Sequence, residues 1–291
     1  EDGFNKYPEG KRKETDIFRI HKINQKELYE FGKDQKTGTY IGNKWGGKYL
    51  RAPEIYFKIL EKGKEILSSL ASYSKFSGYI HDNNVKEQYP KAKIVLSSQL
   101  INKITIYSSD KEVIIYGVKK DGNSRLIPDI VIPRTFNDTF ISHLNKDKIF
   151  FKRFYKIILI NKNQCEKIAI QLNLTIQVLF WEMIGIPEGM GALNVYKDDF
   201  VKILIIKPEL INFNTKGKNN FLTRKIHSIF TELGFDPSKP IREQEPNPLP
   251  DRKELDDIVF DALGLTEEER KEVYWAVAEL VQNRLNKAQS V

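Results

Sequence analysis

Two sets of residues in this 291-residue chain carry chemistry suited to a polynucleotide: acids followed at short spacing by lysine, and cations interleaved with aromatic rings. A metal-dependent nuclease needs an acid on one strand and an acid-x-Lys on the next. Pro128-Asp129 supplies the first half, but the acid-x-Lys matches, Asp251-Arg252-Lys253 and Glu269-Arg270-Lys271, lie far off in a helical tail. Asn247-Pro248-Leu249-Pro250 is superficially like the Asn-Pro-Pro-aromatic motif of amino-group methylation, in which a ring stacks on a flipped base. It lacks the aromatic residue and sits in a proline connector, so it is set aside. Cys165 falls in an apolar helical stretch, where a thiol is a small buried hydrophobe rather than a nucleophile. With that one cysteine and four scattered histidines (His21, His81, His143, His227) there is no metal-ligand spacing and no disulfide. A glycine-rich phosphate loop ending in Lys-Ser or Lys-Thr and a dinucleotide fingerprint are both missing.

The cations are the better lead. Arg125, Arg134, Lys152, Arg153 and Lys156, interleaved with Phe150, Phe151, Phe154 and Tyr155, are the best intrinsic candidates for contacting DNA. Alternation places Lys152 on the side of Phe150 and Phe154, with Arg153 opposite; an edge strand with solvated cations has the same pattern. A second cluster, 37–51, mixes glycines and aromatics with Lys44, Lys48 and Arg51. It fits an ordered loop whose backbone approaches phosphates, and equally a linker collapsed on the body.

Charge is unevenly divided. The chain has 47 basic and 39 acidic residues, net +8; residues 241–291 hold 7 and 12 of them, which leaves 40 and 27, net +13, in residues 1–240. A basic body with an acidic tail is the asymmetry expected of contact with a polyanion, although a lysine-rich proteome gives a similar balance. No stretch reaches the roughly 18 to 20 apolar residues of a membrane span, and the acidic start is unlike a signal peptide. The expectation is a soluble protein of the reducing cytoplasm, and the first residue, Glu1, suggests a processed chain or a fragment.

These residues must be positioned by the elements around 150–206. Residues 150–160 read as a strand, rich in aromatic and β-branched side chains. From Cys165, the recurrence of Ile168, Leu172, Ile176, Leu179 and Met183 predicts one buried helix of about five turns. A loop with Gly185, Pro187, Gly189 and Gly191 follows, then an extended stretch over 194–206. Upstream, Pro53 fits the first turn of a helix running to about Ala71, bent or divided at Gly63. Short β-rich runs at 93–98, 101–108, 112–118 and 126–133, separated by turn residues, predict an antiparallel meander. Downstream come a short helix at 222–233 and a proline-rich connector. Then there are two helices, one capped by Asp251 with Glu254 and closed by Gly264, the other opened by Thr266 with Glu269 and carrying a stripe of Val273, Val277, Leu280, Val281 and Leu285.

The order of several segments resembles the C-terminal target-recognition region of adenine-specific DNA methyltransferases and combined restriction-modification enzymes, the TaqI-like specificity domain group. The segments are Lys44-Trp45-Gly46-Gly47-Lys48-Tyr49-Leu50-Arg51-Ala52-Pro53-Glu54-Ile55-Tyr56, Ile130-Val131-Ile132-Pro133-Arg134, Phe154-Tyr155-Lys156-Ile157-Ile158 and the helix with Leu172-Asn173. Gly189-Met190-Gly191-Ala192-Leu193 follows, with Asp198-Asp199 after it, then the terminal helices. The match departs at 77–89, where the arginine-glycine-isoleucine start is reduced to Gly78-Tyr79-Ile80, and at 89–124, which is compact; positions of base-reading side chains do not carry over.

The resemblance implies a prokaryotic sequence-reading module that grips duplex DNA. Its chemistry would lie in an upstream methyltransferase domain of the same polypeptide, which binds S-adenosylmethionine, and no cofactor or catalytic residue is expected in this chain. The expected fold is α+β: a mixed or antiparallel sheet with a packed core helix, plus a C-terminal helical hairpin. The expected divisions are an N-terminal segment and helix (1–75), the recognition domain (76–211), an irregular connector (212–250) and the hairpin (251–291). Expected DNA contacts are Lys44, Lys48, Arg51, Arg125, Arg134, Lys152, Arg153 and Lys156. The alternatives are a metal-dependent DNA nuclease and a protein-interaction module of a restriction-modification complex.

Overall fold

A computed structural model of the chain describes residues 12–14, 19–21, 23–34, 37–40, 51–77, 94–95, 102–107, 128–147, 150–151 and 154–289. In chain order, the first part holds strands β1 (Arg12–Glu14) and β2 (Arg19–His21) and helices α1 (Gln25–Phe31) and α2 (Glu54–Lys62). Strands β3 (Leu67–Ser69), β4 (Ser74–Ser77), β5 (Ile94–Val95), β6 (Thr105–Ile106), β7 (Ile130–Pro133), β8 (Thr135–Phe136), β9 (His143–Asn145), β10 (Phe150–Phe151) and β11 (Phe154–Leu159) follow. Next come α3 (Cys165–Gln171), α4 (Thr175–Ile184), β12 (Ile186–Pro187), β13 (Leu193–Asn194), β14 (Leu204–Ile206), α5 (Gly217–Thr223), α6 (Ile229–Leu233), α7 (Pro250–Ala262) and α8 (Glu267–Gln289). The fold is α+β with mixed and antiparallel sheets, as expected.

The central sheet has the order β4-β11-β7-β9-β6. Its neighbours are antiparallel except β6 and β9, which run parallel, so the expected meander is a mixed sheet whose strands pair out of sequence order. The run at 112–118 lies outside the described residues. β11 is an inner strand with neighbours on both edges, and Phe154, Tyr155, Ile157 and Leu159 are all buried. α3 packs on β9 of this sheet and α4 on β14, and together they supply Ile168, Leu172, Leu179 and Trp181 to the core.

The five-turn helix expected after Cys165 is two helices. The break has a physical cause on each side. Asn173, 1% exposed, donates to the Ala169 carbonyl at 2.7 Å and exchanges bonds with the Ser142 backbone, both 2.8 Å. The freed end of α4 is capped from another element: the Asp256 carboxylate accepts from Thr175 N at 2.9 Å and Thr175 Oγ1 at 2.6 Å. Such a distant cap satisfies an orphan amide as a local one does.

Elsewhere Gly63 ends α2 outright, and the chain beyond becomes β3, paired with β14. The short helix expected at 222–233 is α5 and α6, with Arg224 to Ser228 between them. Asp251 does not cap α7. Pro250 opens that helix, Asp251 binds Arg224 and Asn220, and Glu254 accepts from Gly217 N. The Thr266–Glu269 box forms as read, with Thr266 N donating to Glu269 Oε2 at 2.9 Å and Glu269 N to Thr266 Oγ1 at 3.3 Å. The two tail helices pack on the body of the same chain, α8 along α4 and α7 along α5, more than on each other.

Two left-handed glycines separate conformation from packing. Gly264 (φ +62°) has open space where a Cβ would go, whereas at Gly234 (φ +76°) it would fall 2.3 Å from the Asn247 carbonyl oxygen. Gly264→Ala should therefore cost only the left-handed penalty of about 1–2 kcal/mol, and Gly234→Ala distinctly more, because backbone must move. Thermal unfolding of the two variants side by side checks the order; equal shifts would show that the Gly234 contact relaxes freely.

Candidate nucleic-acid interface

Of the eight expected DNA contacts, Lys44, Lys48, Arg125, Lys152 and Arg153 lie outside the described residues. The other three occupy very different surroundings. Lys156 sits on β11 opposite Ser77 and Val131 and is 1% exposed; burial lowers its ammonium pKa to about 8. An inner strand turned this side chain inward, so in this arrangement no phosphate reaches it. Arg51 is half-buried at the start of the segment leading to α2, and its Nη2 donates to the Glu182 carbonyl at 3.0 Å and the Gly185 carbonyl at 3.1 Å. Burial depresses its pKa, with Glu182 opposing. Its donors hold the protein's own backbone.

Arg134 belongs to a different part of the fold. It joins β7 to β8, half-buried, with its guanidinium 5.3 Å from the centroid of the Tyr196 ring and its carbonyl accepting from Val195 N at 2.9 Å. β8 continues through β13 to β12 in a small three-stranded sheet. Polar side chains run across that sheet: Thr135 Oγ1 donates to Asn194 Oδ1 at 2.6 Å, and Tyr196 Oη donates to Glu188 Oε1 at 2.7 Å. Hydrogen bonds from Tyr196 and Asn194, with Arg134 nearby, keep Glu188 below the usual carboxylate range. Asn194 is itself buried and its amide is engaged within the sheet, which leaves Arg134 as the side chain here of a type that reads guanine edges.

The turn of the β12–β13 hairpin carries Gly189-Met190-Gly191, whose chemistry the sequence reading overlooked. It is fixed from below. Arg284 of α8, almost fully buried, binds Glu182 at 2.9 Å, donates to the Gly191 carbonyl, and donates to the Asn137 carbonyl at 2.6 Å. A Cβ on Gly191 would lie 2.8 Å from Leu285 of α8. Beside the hairpin opens a cavity of about 1010 Å³, bounded by the start of α2, the hairpin and α8, with Glu54, Pro187, Met190, Arg242, Leu280 and Lys287 among its lining.

The acids expected of a nuclease are engaged in holding structure. Asp129 accepts from Leu159 N at 2.8 Å and pairs with Lys162; Asp251 binds Arg224, and Glu269 binds Lys62. Among the described residues no group of three or more His, Cys, Asp or Glu side chains could hold a metal ion. Cys165 is half-buried, and burial with Asp129 nearby pushes its thiol pKa up to about 12, the opposite of an activated nucleophile. Among the described residues no helix is long and apolar enough to cross a membrane.

No family model matches the chain, and no curated protein matches it in sequence. The fold does recur in a solved structure described as that of the type IIG restriction endonuclease BpuSI: TM-score 0.53, 9% identity, 91% of this chain and 38% of that chain covered. At that identity the likeness is one of fold. The chain spans well under half the length of the protein it matches.

Proposed function

We propose that this chain is the duplex-reading part of a restriction-modification enzyme, a target-recognition region of the TaqI-like kind. The observation that carries the reading is the fold likeness to a type IIG restriction endonuclease over 91% of the chain. The basic body, net +13 over residues 1–240, supports it, since a polyanion is drawn to such a surface by counterion release. Arg134 is the candidate for groove contact; Lys44, Lys48, Arg125, Lys152 and Arg153 are candidates for phosphate contact, which fixes register without reading sequence. Arg51 and Lys156 act inside the fold. Chemistry with S-adenosylmethionine is assigned to a methyltransferase domain upstream in the same polypeptide, and the setting to the cytoplasm.

Binding of the chain to a randomised duplex pool, followed by anisotropy at two salt concentrations with sequencing of the bound fraction, tests this. The expected result is an enriched short motif and an affinity that falls steeply with salt, about 0.9 in log-log slope for each neutralised phosphate. Arg134→Ala is expected to cost about 1–3 kcal/mol and relax one position of the motif; a change under about twofold would remove Arg134 from the interface. No binding at low salt would overturn the reading and favour a protein-interaction module.

A further inference from the structure

Met190 is the one non-glycine residue with positive φ among the described residues, at φ 57° and ψ 27°. That region is disfavoured for a side chain with a Cβ and is held only where surrounding structure imposes it. Here the surroundings do impose it. Gly191 is packed on Leu285 and bound through its carbonyl by Arg284, Glu188 N donates to the Ala192 carbonyl at 2.8 Å across the turn, and Arg51 holds the Gly185 carbonyl at the hairpin's base. The result is a thioether 91% exposed on a braced support. A large apolar side chain has nothing to gain from water, and a position where glycine would be relaxed has nothing to gain from methionine, unless the side chain is used outside the fold.

We propose that Met190 is an apolar wedge that enters the base stack of bound duplex DNA, an inference that rests on the DNA-reading function proposed above. Methionine is among the side chains that unstack base steps from a groove, where a slender, polarizable group fits between rings. Cations flank the hairpin on the side away from the cavity's carboxylates and at the end of α8. Arg134 lies over Tyr196, Lys197 follows it exposed, and Lys287 lies exposed on α8 beside Met190. Glu188 is the exposed acid on the hairpin, tied to Tyr196. The other acids of the cavity are Glu54, Glu182, Glu272 and Glu279; Arg284 binds Glu182 at 2.9 Å, and Arg242 binds the last two at 2.5 and 2.7 Å. A duplex would therefore approach along the Arg134–Lys197 side, with Met190 leading.

The left-handed backbone supplies a clean test, because Met190→Gly removes the side chain and relaxes the conformation, leaving the fold intact. The probes are duplexes from the bound fraction of the randomised pool, fully paired or with a single mismatch stepped through the enriched motif. Unstacking is easier at a mismatch. The chain and its Met190→Leu variant are expected to bind one mismatched duplex about tenfold more tightly than its paired parent, a difference within the unstacking cost of a step. Met190→Gly is expected to lose that preference while its salt slope stays the same. Salt-sensitive binding with no mismatch preference in the parent chain, or the same preference in Met190→Gly, overturns the wedge and leaves the DNA reading standing. No binding of paired duplex by the parent chain overturns the reading, and the wedge with it.

Discussion

Glu232→Ala is expected to destabilise the fold by about 3–5 kcal/mol, because it strips the carboxylate partner from the buried Arg252 guanidinium and one of two carboxylates from Arg224. Glu232, 1% exposed, accepts from Arg224 at 2.7 and 2.8 Å, from Arg252 Nε at 2.8 Å and from His227 N at 2.9 Å. Arg252 is itself buried, and Arg224 also reaches Asp251 at 2.6 Å. One carboxylate thereby joins the residue that ends α5, the helix α6 and the first turn of α7. Burial alone would raise its pKa, but the bonds from Arg224 and Arg252 outweigh it and hold the group at about 2, against an ordinary 4.5. A lowered folded pKa means that the ion network's contribution is fully present above pH 4.5 and is lost as pH falls toward 2. Urea unfolding at neutral pH should show a large drop in midpoint with an unchanged slope, and the variant should lose part of the parent's acid sensitivity. A cost under 1 kcal/mol would mean that water enters and solvates the arginines.

What the sequence made legible follows from how local each cause is. The capping box at Thr266 and Glu269 and the stripe from Val273 to Val281 were readable because their partners lie within one or two turns, and both formed. The apolar period from Ile168 to Met183 was readable as a buried helical face but not as two helices, since the break depends on Ser142 and Asp256, 31 and 81 residues away. Asp251 and Glu254 had the spacing of a capping pair, yet Arg224 and Gly217 competed for them. The same limit explains Lys156. Alternation along 150–156 says which side chains share a face, but only the neighbours β4 and β7 decide that the strand is internal, and those pairings join residues 21 to 85 positions apart in the chain.

Of the cations proposed for DNA contact, the fold takes Arg51 and Lys156 for itself. Arg134 was singled out among the cations interleaved with aromatic residues and as the end of the Ile130–Arg134 segment, and it joins β7 to β8. Met190 and Arg284 were hidden, the first because exposure and a left-handed backbone are invisible in a Gly-Met-Gly string, the second because an arginine in the last turns of an amphipathic helix reads as solvated. In the folded chain Arg284 is among the most deeply buried cations.

Arg284→Met should therefore act at two levels at once. Glu182, 1% exposed, has its pKa raised by burial, with Arg284 and Arg51 opposing. Without Arg284 its charge is left with the half-buried Arg51, and breaking a buried pair on one side costs about 3–5 kcal/mol. The Gly191 and Asn137 carbonyls lose their donor in the same step, which frees the turn that holds Met190. Adding Glu182→Gln removes the stranded charge, so the double variant should recover much of the stability. It should not recover the brace. Under the proposed DNA reading, salt-dependent affinity of the double variant for duplex should persist while enrichment of the short motif weakens, because phosphate contacts would survive a loosened hairpin and base contacts would not. Thermal unfolding separates the charge effect, and sequencing of the bound pool separates the positioning effect. If the double variant regains both stability and full selectivity, Arg284 serves only to neutralise Glu182, and the hairpin is held without it.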